Sequence, residues 1–298
     1  MRPELSQAIG LLRSNSPEAV EKAIGLLQNT VYSFSMKVCG HREDAEDTMQ
    51  EVLYRSLQHL ARIEEPRALA VWLYTVTRNR CWRMRGDSAH RAKHVSLDEL
   101  MPDESEMGRL LRDPAPGPDN KLLHAEERDL MRKAVLRIPP QLRIVLVLHD
   151  MEELPTEDVA QILNLQPGTV RVRLHRARLS VRKEIGKVLS GAARKGKTGS
   201  SKGRRPKHND GHREAACREL FSNLSEYLDG RVEPHTCAEM SAHIESCPAC
   251  VAFLRDLRTA IDRCRSLKVD CDPAVIERLR ATLTREYLHL AGNTQTGK

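Results

Sequence analysis

Apolar positions recur along most of the chain with the spacing of amphipathic helices. Ala45, Met49, Val52, Leu53, Leu57 and Leu60 follow the i, i+4, i+7, i+8 rule of one buried stripe. A further helix opens at Pro66, because a first turn does not need the N–H that proline lacks. It sends Leu69, Trp72, Leu73 and Val76 inward. The helical pattern holds from Pro17 to about Arg85 and again from Lys121 to about Lys187. A last helix has Asp272 as cap and Pro273 in its first turn, with Ile276, Leu279, Leu283, Tyr287 and Leu290 on one side. The pattern predicts an all-α chain of small helical modules.

Two segments break the periodicity. Residues 98–119 hold seven acids against Arg109 and Arg112, with prolines at 102, 114, 116 and 118, and read as an extended acidic linker. Residues 187–213 hold nine Lys/Arg, one acid and five glycines, and cannot build a core. The breaks predict modules at 15–86, 121–187 and 213–265, linkers at 87–120 and 188–212, and a terminal helix at 272–291.

Composition narrows the class. The 298 residues include only ten aromatics but 37 leucines, which disfavours sandwiches and barrels. The longest aliphatic run, Ile144–Leu148, falls far short of the roughly 20 residues of a membrane helix. The opening residues lack the apolar core of a secretory signal, so the chain is expected in the cytoplasm with no membrane partner. The net charge of +7 combines unlike parts, since the two linkers have opposite signs.

Thr156–Leu163 reads as a short helix that Thr156 can cap, and Asn164–Gly168 as a turn. Thr169 then starts a second helix with Val170, Leu174, Ala177 and Val181 inward. Arg171, Arg173, Arg176, Arg178 and Arg182 project elsewhere. A second helix with basic residues in its first turns suits the DNA major groove. The plain alternative is a helical hairpin with a solvated basic face.

Six of the eight cysteines crowd the last third of the chain, which favours metal or redox chemistry there over a disulfide framework. Cys39 and Cys81 lie in apolar helical surroundings and read as core residues. The four-residue spacing in His243-x3-Cys247-x2-Cys250 puts His243 and Cys247 on one helix face, Cys-Pro-Ala-Cys turns the second thiolate toward the same centre, and tetrahedral zinc needs a fourth ligand. Cys217 is the preferred choice, with Cys237 and His235 as alternatives. One Zn2+ is expected, structural or redox-responsive.

Asp44-Ala45-Glu46-Asp47 with Gln50-Glu51-Val52-Leu53, and Trp72-Leu73-Tyr74 with Arg78-Asn79, resemble domain two of extracytoplasmic-function sigma factors of bacterial RNA polymerase. Ile138–Arg143, Pro167–Arg171 and Arg176-Ala177-Arg178 resemble domain four of the same group. The stretch Cys217, Leu228-Asp229-Gly230, His243, Cys247 and Cys250 resembles the zinc-binding anti-sigma domain.

The resemblance implies roles. Asp44, Glu46, Asp47, Gln50 and Glu51 would dock on the β′ clamp helices of core polymerase, and domain four on the β flap. Arg78, Asn79, Arg80, Trp82 and Arg83 would capture the opened −10 element, with Asn79 reading a flipped base and Trp82 stacking. Arg83 stands where the group often has an acid. Thr169, Arg171, Arg173 and Arg176 would read the −35 duplex. The acidic linker would thread the RNA-exit path. The implied protein is not an enzyme. It directs promoter-specific initiation and is regulated in cis, because a tether of about 26 residues lets the zinc domain contact the sigma domains of its own chain. Two rival readings are a helix–turn–helix regulator acting without polymerase and a zinc-dependent adaptor with a degenerate sigma half.

Overall fold

The computed structural model describes residues 3–14, 16–60, 63, 65–85, 100, 124–194, 217, 220–221 and 224–295. Most of the predicted acidic linker and the basic linker beyond Arg194 lie outside the described residues. Among the described residues every regular element is a helix. Proline opens most of them, where its fixed φ favours the first turn and its missing N–H is not needed. The chain divides into two compact units, one of residues 1–92, 139–170 and 267–298, the other of residues 93–138 and 171–266.

The first unit is built around α2 (Pro17–Cys39). Ser16 Oγ accepts from the Ala19 N–H at 3.2 Å, and Gly40 stops the helix with φ 84°, a conformation that glycine adopts without strain. The helices α1 (Pro3–Ser14), α3 (Arg42–Leu60) and α4 (Pro66–Arg85) pack against it and one another. All six residues of the α3 stripe are buried as the periodicity predicts. On α4 the expectation is corrected in part. Leu69 and Leu73 are buried, but Trp72 and Val76 are only half-buried, and Tyr74 and Thr77 are inside. The reason is that α4 has neighbours on several sides: α1, α2 and α3, and a later helix, α7 (Thr156–Leu163).

Two further segments complete this unit. Before α7 (Thr156–Leu163), α6 (Pro140–Leu146) runs into a π-turn at Val147–Met151. Pro155, not Thr156, is the N-cap of α7, and the Thr156 side chain is buried. Asn164 ends α7 at φ 52°, a conformation asparagine tolerates better than most residues. The terminal helix α11 (Pro273–Gln295) packs on α2 and α3 through Val275, Ile276, Leu283 and Tyr287. Asp272 Oδ1 accepts from the Ala274 N–H at 2.9 Å, and Gln28 Nε2 donates to the Ile276 carbonyl at 3.2 Å.

The second unit holds α5 (His124–Arg137), α8 (Pro167–Arg194) beyond Val170, the helical residues Cys217, Leu220, Phe221 and 224–228, α9 (Pro234–Ser246) and α10 (Pro248–Arg265). Its core gathers Leu179, Leu220, Phe221, Leu224, Ile244, Phe253 and Leu257, with the rings of Phe221 and Phe253 4.6 Å apart. Helix α8 continues to Arg194, several residues into the segment read as linker. Alanine, leucine, lysine and arginine there are good helix formers and outweigh one glycine.

Candidate functional site

The acidic face of α3 is partly engaged. Asp47 and Gln50 are exposed, while Asp44, Glu46 and Glu51 are half-buried. Glu46 accepts from Arg42 Nε at 2.7 Å, and Arg42 Nη2 also reaches Asp272 at the start of α11 at 3.0 Å. Glu51 pairs with Arg55 at 3.0 Å and with Arg80 of α4 at 2.5 Å. A groove lined by Asp47, Gln50, Glu51, Tyr54 and Arg80 on one side and Leu279, Thr282 and Leu283 on the other runs between this face and α11.

The −10 candidates share the end of α4. Arg78 donates through Nε and Nη2 to Asn79 Oδ1, and its guanidinium lies 4.9 Å from the centre of the Trp82 ring. Burial draws the Arg78 pKa down from its ordinary value. Asn79 therefore keeps its amide N–H groups for another acceptor, and Arg83 is exposed beside it.

Along α8, Thr169 and Arg171 are exposed, and Arg173 and Arg176 are half-buried. Arg178 and Arg182, expected to project away from the inward face, are both buried. Arg178 Nη1 donates to Asp229 Oδ2 at 3.0 Å and Nη2 to Asp229 Oδ1 at 2.8 Å, a fork-to-fork pair. Arg178 Nη1 also reaches Ser225 Oγ at 2.8 Å. Arg182 donates to Asp256 Oδ2 at 3.1 Å and lies 4.5 Å over the Phe253 ring. Neutralisation by carboxylates and a π-face makes two buried guanidiniums tolerable. His175, one turn earlier, is buried with neither ring nitrogen hydrogen-bonded. Its burial, and after that the charges of Arg178 and Arg176, lower its pKa to about 4.

Cys217, His243, Cys247 and Cys250 converge, with ligand atoms all within 4.8 Å of one another. Tetrahedral zinc with bonds of about 2.3 Å to sulfur and about 2.0 Å to nitrogen requires S···S edges near 3.8 Å and S···N edges near 3.5 Å. The Cys217–Cys250 and Cys217–Cys247 sulfurs are 3.5 and 4.0 Å apart. His243 Nε2 lies 3.5 Å from Cys217 and 3.4 Å from Cys250. The cluster therefore has the dimensions of a Cys3His zinc centre. Burial opposes ionisation of the Cys247 thiol, but hydrogen bonds from the Cys250 and Ala249 backbone and the neighbouring thiols outweigh it, and its pKa falls. Among the fourth-ligand candidates, Cys217 is the residue placed with the other three. Cys237 and His235 stand on the first turn of α9, where His235 pairs with Glu239 at 3.7 Å.

The sigma-70 region 2 family model matches residues 24–91, the sigma-70 region 4 model residues 128–181, and a zinc-finger model residues 217–250. The chain is 29% identical to RNA polymerase sigma factor RfaY of Xanthomonas campestris pv. campestris over 56% of its own length and 40% of that protein's. It is 23% identical to ECF RNA polymerase sigma factor SigW of Bacillus subtilis over 62% of its length and 98% of that protein's. It is 30% identical to ECF RNA polymerase sigma factor SigE of Mycolicibacterium smegmatis over 55% of its length and 60% of that protein's. The chain thus carries sigma-70 regions 2 and 4 and is similar to ECF members of the sigma-70 family. Proteins of this family bind DNA and start transcription without catalysing a reaction themselves.

Region 2 accordingly comprises most of α2 with α3 and α4, and region 4 runs from α5 into α8. Sequence reasoning missed three buried groups, Lys37, Tyr74 and Glu152. Lys37 carried a signal, as a lone charge in the otherwise uncharged run from Val31 to Cys39. Glu152 carried none, since a π-turn has no distinct hydrophobic period. No described helix is long and apolar enough to cross a membrane.

Proposed function

We propose that this chain directs promoter-specific initiation by bacterial RNA polymerase in the cytoplasm, and that its C-terminal third restrains that activity in cis. The reading rests first on α11, which lies along α3 with Leu279, Thr282 and Leu283 across a groove from Asp47, Gln50 and Glu51. Those three are among the five residues that the resemblance assigns to the β′ clamp helices, and a helix in that position competes with polymerase for them. A second support is the engagement of Arg178 and Arg182 by Asp229 and Asp256. Arg78, Asn79, Arg80, Trp82 and Arg83 hold the opened −10 strand. Thr169, Arg171, Arg173 and Arg176 read the −35 duplex. Cys217, His243, Cys247 and Cys250 bind one structural Zn2+ that shapes the module presenting Asp229 and Asp256.

Run-off transcription with core polymerase on promoter templates tests this. A chain ending at Arg194 is expected to yield several-fold more product than the full chain. Failure of both to initiate removes the sigma reading. Equal activity removes the cis restraint.

A further inference from the structure

Region 4 inserts a carboxylate into a socket on region 2. Glu152 follows the π-turn and is 1% exposed. Lys37 Nζ on α2 donates to its Oε1 at 2.8 Å, and the Tyr74 hydroxyl on α4 donates to its Oε2 at 2.8 Å. Lys37 and Tyr74 are as deeply buried as Glu152. The Phe34 ring covers Tyr74 at 5.0 Å between centroids.

Three features set this contact apart from incidental packing. A buried ion pair holds only when further hydrogen bonds complete it, and here both carboxylate oxygens are matched. The backbone that aims Glu152 is irregular. The helix passes through a π-turn, and Glu153 then takes φ 57° without being glycine. Such conformations persist where their surroundings over-determine them, and they concentrate at functional sites. Finally, a second pair closes the rim, as Arg67 of α4 donates to Asp158 Oδ1 of α7 from Nε at 2.8 Å and Nη2 at 2.6 Å.

A promoter demands a different arrangement. Elements at −35 and −10 are separated by about 25 base pairs, or about 85 Å of duplex at 3.4 Å per pair. Arg176, the farthest −35 candidate, lies 176 − 158 = 18 residues beyond Asp158, and because all but the step from Leu163 to Pro167 is helical its reach is at most about 36 Å. Arg83, the farthest −10 candidate, lies 83 − 67 = 16 residues beyond Arg67 on the same helix, or about 24 Å. Even with about 10 Å for the Arg67–Asp158 pair itself, these spans cannot cover the gap. While the socket is filled, the two regions cannot hold both elements.

We propose that Glu152 is a latch which, by seating on Lys37 and Tyr74, holds regions 2 and 4 in a closed form unable to engage a whole promoter. The latch lies within the sigma half and adds to the restraint by the C-terminal third. It rests on the sigma reading above. Opening requires a partner that binds the separated regions more tightly than the closed ones, and core polymerase with promoter DNA has that property.

The test uses the full chain and two readouts, amide hydrogen exchange and run-off transcription. Glu152→Gln leaves Lys37 facing a neutral amide, so exchange across residues 147–163 is expected to rise at least tenfold, and run-off product several-fold. Replacing the pair together, Lys37→Met with Glu152→Leu, is expected to return exchange toward the wild-type rate, because apolar groups of similar size can substitute for a buried pair. Arg67→Glu changes a largely exposed side chain and sets like charges together, with an expected two- to threefold rise that a collapsed core cannot explain. Unchanged exchange in both Glu152→Gln and Arg67→Glu overturns the latch, whatever transcription does. Faster exchange with no transcription from any variant leaves the latch standing and removes the sigma reading.

Discussion

The C-terminal third engages the sigma regions twice, by different physics. In the first unit, α11 lies on α2 and α3 through an apolar stripe, with ion pairs only at its exposed margin. In the second, Arg178 and Arg182 of α8 are held by carboxylates of the module that carries the Cys3His cluster, in a buried setting. An apolar stripe is non-directional and tolerates small shifts. A fork-to-fork pair demands that Asp229 stand in one place, and that place depends on how a small module is folded. With zinc in the cluster as proposed, metal dependence belongs to the second contact and not to the first.

Cys247→Ala breaks this comparison most severely. Zinc binding to so small a core is worth about 10–16 kcal/mol in apparent terms, which exceeds what the module's own packing supplies. Loss of bound zinc, measured by metal analysis, should accompany loss of one thermal transition, while the transition of the α1–α4 bundle remains. If the zinc-free variant keeps both transitions, the metal does not build the module.

Asp229→Ala probes the buried pair alone. It strands the Arg178 guanidinium, which is 1% exposed, and is expected to lower the stability of the second unit by about 3–5 kcal/mol in urea unfolding. Asp256→Ala should lower it by less, because Asp256 is 37% exposed against 17% for Asp229, so water more readily takes its place beside Arg182. Equal effects would mean that burial does not set the difference. The matching change in the first unit is Leu283→Ala, where a leucine 2% exposed is removed from the stripe. Its expected loss is about 2–5 kcal/mol, independent of zinc.

His175 sharpens the contrast through pH. Its folded pKa is about 4 against an ordinary 6.5, so the unfolded chain takes up the proton first. The stability tied to neutral His175 is complete above about pH 6.5 and is lost as the pH falls toward 4. The full difference is about 3 kcal/mol. Because the zinc ligands also protonate in acid, the measurement is the difference between wild type and His175→Leu, followed by unfolding from pH 7 to 4.5. A flat difference would show that the imidazole reaches water in the folded state.

How much of this was legible in the sequence depends on the kind of feature. The α3 stripe and the Cys-x2-Cys knuckle could be read because each is a local repeat or spacing with one physical meaning. The cap at Asp272 was equally local. Periodicity directs Arg178 and Arg182 away from the inward face and cannot show what buries them there, because their partners lie 51 and 74 residues away. On α4, periodicity identified the face turned to α2 and α3 but not the second face. Packing against α7 is a tertiary fact that no window on α4 contains. Glu152 was hidden more deeply, since its direction is set by a π-turn, and its meaning depends on Lys37, 115 residues distant.

The smallest expected effect is the most selective. Arg42 connects Glu46 to Asp272, and both hydrogen bonds push its pKa higher. The pair looks like a clasp on α11, yet Arg42 is 59% exposed and Asp272 42% exposed. Water and salt compete for such charges, and ordering two long side chains offsets what attraction remains. Arg42→Ala should therefore leave the melting temperature of the first unit unchanged within error, in low salt and in 0.5 M salt on the order of a 4 Å Debye length. A clear drop at low salt that disappears at high salt would mean that charge, not the stripe through Ile276 and Leu283, seats α11. In that case the contrast between the two contacts would reduce to two forms of ion pairing, and ionic strength rather than zinc would be the condition that releases the acidic face of α3.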